Sequence, residues 1–337
     1  WMACEWFIRR AAGLGRAGDA PDPARYEKVN AFCDVLVVGA GPAGLMAAKA
    51  AAASGKRVLL AEQDPEPGGT ARWSDETIDA MPAADWAASV ADELRENDNV
   101  RFLPRTTVWG VYDGNTFAAL ERTGTHKQAT ATGEPRSRHW VIHTGTAVFA
   151  TGALERPLVF PGNDRPGVML AAAAQRYAAE YGVLPGGTIA VFTNNDSAYR
   201  AAAALHRAGA RIATIVDVRR QVSAAALTLA RETGAEHLCG YAVVSTNGRL
   251  GLREIAIQHF DAATGALSGE RRTISCDCLA VSGGWSPTIH LASQAGGLSR
   301  WDERLQAFLP PEANGKWGGT GAFTGANCAA LGCVRAA

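Results

Sequence analysis

The chain has 337 residues and carries 33 Lys and Arg against 33 Asp and Glu, for a net charge of zero. That length is enough for two nucleotide-sized domains around a sizeable core, and the balance leaves no basic stripe for nucleic acid and no polybasic run for a membrane surface. No apolar segment is long enough to span a bilayer, since the best run, from Val35, contains Gly and Pro and meets Lys49.

Residues Trp1 to Arg16 read as a short amphipathic helix, and Ala17 to Asn30, with Asp-Ala-Pro-Asp-Pro, as a linker. The next stretch, Cys33-Asp34-Val35-Leu36-Val37-Val38-Gly39-Ala40-Gly41-Pro42-Ala43-Gly44, runs an apolar strand into Gly-x-Gly-x-x-Gly, and an Ala-rich helix follows. A dinucleotide needs that order. Gly39 permits the tight turn, Gly41 lets the backbone approach a pyrophosphate, and Gly44 lets the helix pack closely on the strand. The helix N-terminus then offers N–H groups and a positive dipole end to the phosphates. The second strand, Arg57 to Ala61, ends at Glu62, near the spacing at which an acid accepts hydrogen bonds from a ribose diol. A carboxylate there repels a 2′-phosphate and favours an NAD- or FAD-type adenosine over NADP.

Further on, Gly68-Gly69-Thr70 is a loop, and about Pro82 to Asn97 a helix with Trp86, Val90 and Leu94 on one face. Val100 to Leu103 is a strand. Thr106 to Tyr112, Thr116 to Leu120 and His139 to His143 alternate as a β-meander whose polar loop, Thr123 to Arg138, is expected to be mobile. Thr146 to Gly152 is an apolar strand ending in Thr-Gly. Thr188 to Ala198 then repeats the first motif and again leads through a helix to a strand, Ile212 to Val216, and an acid, Asp217. Its turn has Thr193, Asn195 and Ala198 where glycines belong, and Asp196 brings negative charge toward a pyrophosphate, so this second Rossmann-like unit is expected to have a spoiled phosphate site. Arg219 and Arg220 read as a solvated surface. Strands near Ala242 to Val244, Leu252 to His259 and Thr273 to Ser275 follow. Cys278 to Pro287, another apolar strand with a Gly-rich turn, is expected to return the chain to the first domain.

The 7 cysteines are odd in number and scattered, and no signal-peptide pattern occurs, which fits a reducing cytoplasm. Neither Cys276 with Cys278 nor Cys328 with Cys333 has zinc-ligand spacing, so they read as structural thiols and no metal site is expected. His139, His143, His237, His259 and His290 read as structural or surface histidines. The chain begins at Trp1, and Leu331 to Ala337 stop shortly after an expected helix start; both ends read as cut from a longer polypeptide.

Gly39 to Gly44, Gly68 to Thr70, Ala150-Thr151-Gly152 and Gly283 to Pro287 occur in the order of the pyridine-nucleotide disulfide reductase fold, which the chain resembles from Asp34 on. In that fold a first Rossmann unit is interrupted by a second and then completed. Ala71 follows Thr70 where disulfide reductases place a redox cysteine pair, and no cysteine occurs between Cys33 and Cys239, so dithiol chemistry is excluded. The late Gly-Asp of that fold is replaced by Gly321-Ala322. Ile8 to Gly15, Thr151 to Phe160, Gly162 to Leu170, Val191 to Arg200 and Ser282 to Pro287 carry a closer resemblance, to the alpha subunits of heterotetrameric sarcosine oxidases.

The resemblance implies an α/β fold: a Rossmann-like FAD/NAD(P)-binding domain interrupted by a second, degenerate one, with a β-meander. The expected organisation is an N-terminal segment and linker (1–33), a first dinucleotide-binding part (34–183), the second unit (184–275) and a truncated return to the first (276–337). Gly39, Gly41, Pro42, Ala43, Gly44, Glu62, Gln63, Gly69, Thr70, Thr151, Gly152 and Gly321 are the candidate cofactor-binding residues. No catalytic residue stands out. In that family NAD is held in the first unit, FAD on the beta subunit and an FMN between them. The implied cofactor is therefore NAD, with FAD as the alternative, plus an FMN at an interface with a partner subunit. The implied partners are beta, gamma and delta subunits, with no nucleic acid and no membrane. The implied activity is oxidative demethylation of sarcosine to glycine with hydrogen peroxide, the one-carbon unit passing to tetrahydrofolate, and the isolated chain is expected to be inactive. Two other functions stay open: a stand-alone FAD-dependent NAD(P)H oxidoreductase, and a non-catalytic, NAD-stabilised interaction subunit.

Overall fold

A computed structural model of the chain describes residues 2–13, 21–22, 24–124, 133–303, 305–309 and 322–325. Helix α1 (Met2–Ala11) precedes β1 (Tyr26–Val38), α2 (Pro42–Ala53), β2 (Val58–Ala61), a small hairpin of β3 (Thr77–Ile78) and β4 (Met81–Pro82), α3 (Ala83–Arg95) and β5 (Val100–Leu103). The meander β6 (Thr106–Tyr112), β7 (Thr116–Arg122) and β8 (Ser137–Phe149) follows, and then β9 (Ala153–Glu155). The sheet order is β5-β2-β1-β8-β7-β6. Strands β5, β2, β1 and β8 run parallel, while β7 is antiparallel to both β6 and β8. The two-residue alternation of β1 sorts its side chains between two cores. Val35 and Val37 pack with Leu45, Trp86 and Val90 of α2 and α3, and Leu36 and Val38 pack with Phe117, Trp140 and Ile142 of the meander.

The second sheet has the order β10-β17-β11-β12-β13, all parallel. It comprises β10 (Val168–Leu170), α4 (Ala171–Tyr181), β11 (Thr188–Thr193), α5 (Ser197–Arg207), β12 (Arg211–Asp217), α6 (Ala224–Thr233) and β13 (Glu236–Cys239). An antiparallel sheet of β14 (Tyr241–Asn247), β15 (Glu254–Asp261) and β16 (Ala266–Ser275) follows, and β17 (Cys278–Ser282) re-enters the parallel sheet between β10 and β11. One face is covered by the Ala-rich helices, which let Tyr199 and Leu205 sink into the core. The other meets the antiparallel sheet through Phe192, Val243, Ile255 and Ile257. The chain leaves through β18 (Trp285–Pro287), α7 (His290–Gln294), the hairpin β19 (Arg300–Asp302) and β20 (Ala307–Leu309), and β21 (Ala322–Gly325).

Three expectations change. Strand β1 starts at Tyr26, inside the expected linker and ahead of the 33/34 boundary, because β8 offers it a parallel partner from Ser137 to Phe149. The two segments His139–His143 and Thr146–Gly152 form one strand, β8, as far as Phe149. Strand β17 does not return the chain to the first domain; it fills the gap between β10 and β11, so the second sheet reaches across the expected boundaries at 183/184 and 275/276. Gly321, Cys328, Cys333 and the loop residues 125–132 lie outside the described residues. Strand β21 runs parallel to β8 from Ala322, level with Thr146, to Gly325, level with Phe149.

Candidate dinucleotide site

A cleft of about 650 Å³ opens at the carboxyl ends of β1, β2 and β8, where open α/β sheets place their ligands. Gly39, Gly41, Pro42, Ala43, Glu62, Gln63, Gly69, Thr70, Thr151 and Gly152 all line it. Gly44 does not; it lies beneath the turn. A Cβ on Gly44 would overlap the Gly39 carbonyl oxygen and come within 3.2 Å of the Ala150 Cβ, so its absence sets the packing of α2 on the sheet. Gly41 is the opposite case. It is the N-cap of α2, and a Cβ there would have nothing within 4 Å. The space over Gly41 is the room a pyrophosphate requires, beside a helix whose first turn has Pro42 at N1.

Glu62 ends β2 almost fully buried, at 6% exposure. Ala40 N donates to its Oε2 at 2.6 Å and Asp64 N to its Oε1 at 2.9 Å. Burial pushes its pKa up, and the Asp64 and Ala40 N–H groups pull it back. Each carboxylate oxygen has a further lone pair, so the same group that braces the glycine turn can accept a ribose hydroxyl. Glu62→Ala is expected to weaken dinucleotide binding by about 1–3 kcal/mol, the scale of hydrogen bonds to a charged group. Calorimetric titration checks this, and an unchanged affinity places the ribose elsewhere.

The corresponding turn of the second unit is filled by its own side chains. Asn195 Oδ1 accepts from Ser197 N at 3.1 Å, and Asn195 Nδ2 donates to the Ser282 carbonyl at 3.2 Å. The Trp285 indole donates to Ser197 Oγ at 2.9 Å. Ala198, in the third glycine's place, is fully buried. Asp217, the counterpart of Glu62, is 0% exposed and accepts from Tyr199 Oη at 2.8 Å and from the backbone N–H and guanidinium of Arg219. Arg219 also pairs with Asp196 at 2.8 Å, so its half-buried guanidinium is tied up as the counter-ion of Asp217 and Asp196, whereas Arg220 is exposed as expected. A ribose cannot reach that acid without dismantling the network.

Sequence reasoning missed several residues of the cleft. Trp109 of the meander, Glu155 of β9, Trp285 of β18, His290 of α7 and Arg176 of α4 all line it. Glu155 accepts from Ala172 N at 2.8 Å, and burial raises its pKa against the pull of Ser282 and Ala172. These residues come from five separate elements; Glu155 and Trp285 fall inside runs that carry the family resemblance, yet nothing in the sequence marks any of the five as facing the cleft. His237, read as structural, meets Tyr199 Oη at 2.9 Å. Burial pushes the Cys276 and Cys278 thiols up to about 12, which keeps both protonated at neutral pH. Among the described residues no group of three His, Cys, Asp or Glu side chains could hold a metal ion, and no helix is long and apolar enough to cross a membrane.

The profile of the pyridine nucleotide-disulphide oxidoreductase family matches residues 33–307. The chain is 44% identical to the sarcosine oxidase subunit alpha of Rhizobium meliloti (strain 1021), over 100% of this chain and 34% of that protein. It is 41% identical to the sarcosine oxidase subunit alpha of Corynebacterium sp. (strain U-96), over 93% of this chain and 32% of that protein. It thus spans about a third of the length of these curated relatives. Among solved structures, L-proline dehydrogenase from P. horikoshii superposes with a TM-score of 0.63 at 20% identity, covering 89% of this chain and 51% of that one, a likeness of fold alone.

Proposed function

The chain belongs to the pyridine nucleotide-disulphide oxidoreductase family, and from that premise we propose that it is the dinucleotide-binding region of a sarcosine oxidase-like alpha subunit holding one NAD in its first Rossmann unit. The observation that carries the reading is the contrast between the two glycine-turn positions. The space over Gly41 is empty of protein atoms within 4 Å. The equivalent turn of the second unit is closed by Asn195, Ser197 and Trp285.

In this reading the Gly39–Gly44 turn and the N-terminus of α2 bind the pyrophosphate, Glu62 binds the adenosine ribose, and Gly69 and Thr70 wall the other side. A Cβ on Gly69 would come within 3.1 Å of the Gly41 Cα, so the Gly68–Thr70 loop packs directly against the glycine turn. A bound NAD would supply a nicotinamide able to accept hydride, in a cleft that Trp285 also lines. The whole enzyme oxidises the methylamine of sarcosine with beta, gamma and delta partners, an FAD on a partner and an FMN at the interface. This chain contributes the NAD-bound body on which those subunits assemble.

Extraction of the purified chain, followed by mass spectrometry and quantitation, tests the reading. One NAD per chain without flavin is expected. FAD at one per chain with NADH oxidation moves the weight to a stand-alone flavoenzyme, and two dinucleotides per chain overturn the closed second turn.

A further inference from the structure

The crossover helix α4 belongs by topology to the second sheet, between β10 and β11, yet it lies along the cleft of the first unit, where Ala172, Ala173 and Arg176 line the wall. It is fastened there along its length. Ala172 N donates to Glu155, Gln175 Nε2 to the Trp73 carbonyl at 3.2 Å, and Arg176 Nη2 to Asp64 Oδ2 at 2.8 Å. Glu180 pairs with Arg72 at 3.3 Å.

The charge of the cleft gives this placement a purpose. A dinucleotide brings two phosphate charges. Among the described lining residues, Glu62, Asp64 and Glu155 are acids, and Arg176 is the only arginine or lysine. Pro42, at the start of α2, removes one of the backbone N–H donors that a helix N-terminus otherwise offers. The guanidinium is held before any ligand arrives, since Nε donates to Glu180 Oε2 at 2.8 Å while Nη2 holds Asp64. Nη1 has no hydrogen-bond partner among the described residues. A planar guanidinium fixed at two of its three nitrogens loses little freedom when the third meets a phosphate oxygen.

We propose that Arg176 is a phosphate-binding residue of the dinucleotide site, so that the second unit, closed to nucleotide itself, completes the site of the first. This rests on the dinucleotide reading of the cleft. The test uses the full chain stripped of nucleotide and titrated calorimetrically with NAD, ADP and adenosine at several salt concentrations, with folding checked by circular dichroism. Arg176→Ala is expected to weaken NAD and ADP by roughly 10–100-fold, the range of hydrogen bonds to charged groups, to leave adenosine within about twofold, and to flatten the salt dependence of ADP binding. Arg176→Lys, which keeps the charge but not the fork, recovers part of the loss, and it serves as the variant if the alanine chain does not fold.

Unchanged ADP affinity and salt slope in the folded variants make Arg176 a clamp on Asp64 and overturn the proposal. An equal loss for adenosine and ADP overturns it as well. Wild-type chain that binds neither NAD nor ADP sinks the dinucleotide reading itself, a result distinct from either of these.

Discussion

Gly41→Val is expected to yield a folded chain that holds no dinucleotide. A Cβ at Gly41 meets no protein atom within 4 Å, so the valine methyls enter the cleft and not the core. The backbone has an ordinary extended conformation there, φ −69° and ψ −179°, so the substitution adds no left-handed strain. The cost falls on the ligand, whose pyrophosphate loses its close approach to the turn. The loss is expected to be on the order of 100-fold or more, about 2.8 kcal/mol at 1.4 kcal/mol per decade. Nucleotide content after purification measures it, alongside a melting curve matching the parent. Stoichiometric dinucleotide in the folded variant refutes the assignment of Gly41.

Gly44→Ala, three residues along, is expected to do the reverse and damage the fold. The added Cβ would overlap the Gly39 carbonyl oxygen and sit 2.9 Å from its carbon. Neither atom can rotate away, because both belong to the backbone of the turn that leaves β1. Relief requires α2 to lift from the sheet, which loosens Leu45 and Ala48 from Val37 and Leu60 in the same core. Overpacking of this kind typically costs 1–3 kcal/mol, and a backbone collision belongs at or above the top of that range, about 3 kcal/mol. Urea unfolding of the two chains side by side checks this, and coincident midpoints show that the helix has slack.

The placement of these two glycines was legible because strand, turn and helix occupy consecutive residues, and spacing alone locates each position. Glu62 was legible for the same reason. Strand β17 was not, because Cys278 to Ser282 is an unbroken apolar run and any buried parallel strand looks the same. Its sheet is decided by the vacancy between β10 and β11, which no local pattern records. The start of β1 at Tyr-Glu-Lys-Val-Asn was hidden by its half-exposed, polar composition. The place of Ala322 to Gly325 beside β8 was likewise unmarked, because only long-range pairing sets the register of β21. Arg176 sits on an Ala-rich helix of the second unit, and its place in the first unit's cleft is a consequence of how the two pack.

The strands that carry the chain into and out of the second unit, β9 and β18, pair antiparallel, Glu155 opposite Trp285 and Ala153 opposite Pro287. The whole second unit is thus a contiguous insert with adjoining ends. This shapes assembly during synthesis. Strand β21 must find β8 across the full length of the insert, a closure whose entropic cost grows with the length of the flexible loop. Once the insert has folded and β18 has zipped onto β9, the loop that remains runs only from β18 to β21. An insert that folds first would act as a splint, converting the pairing of β21 with β8 from a distant closure into a local one.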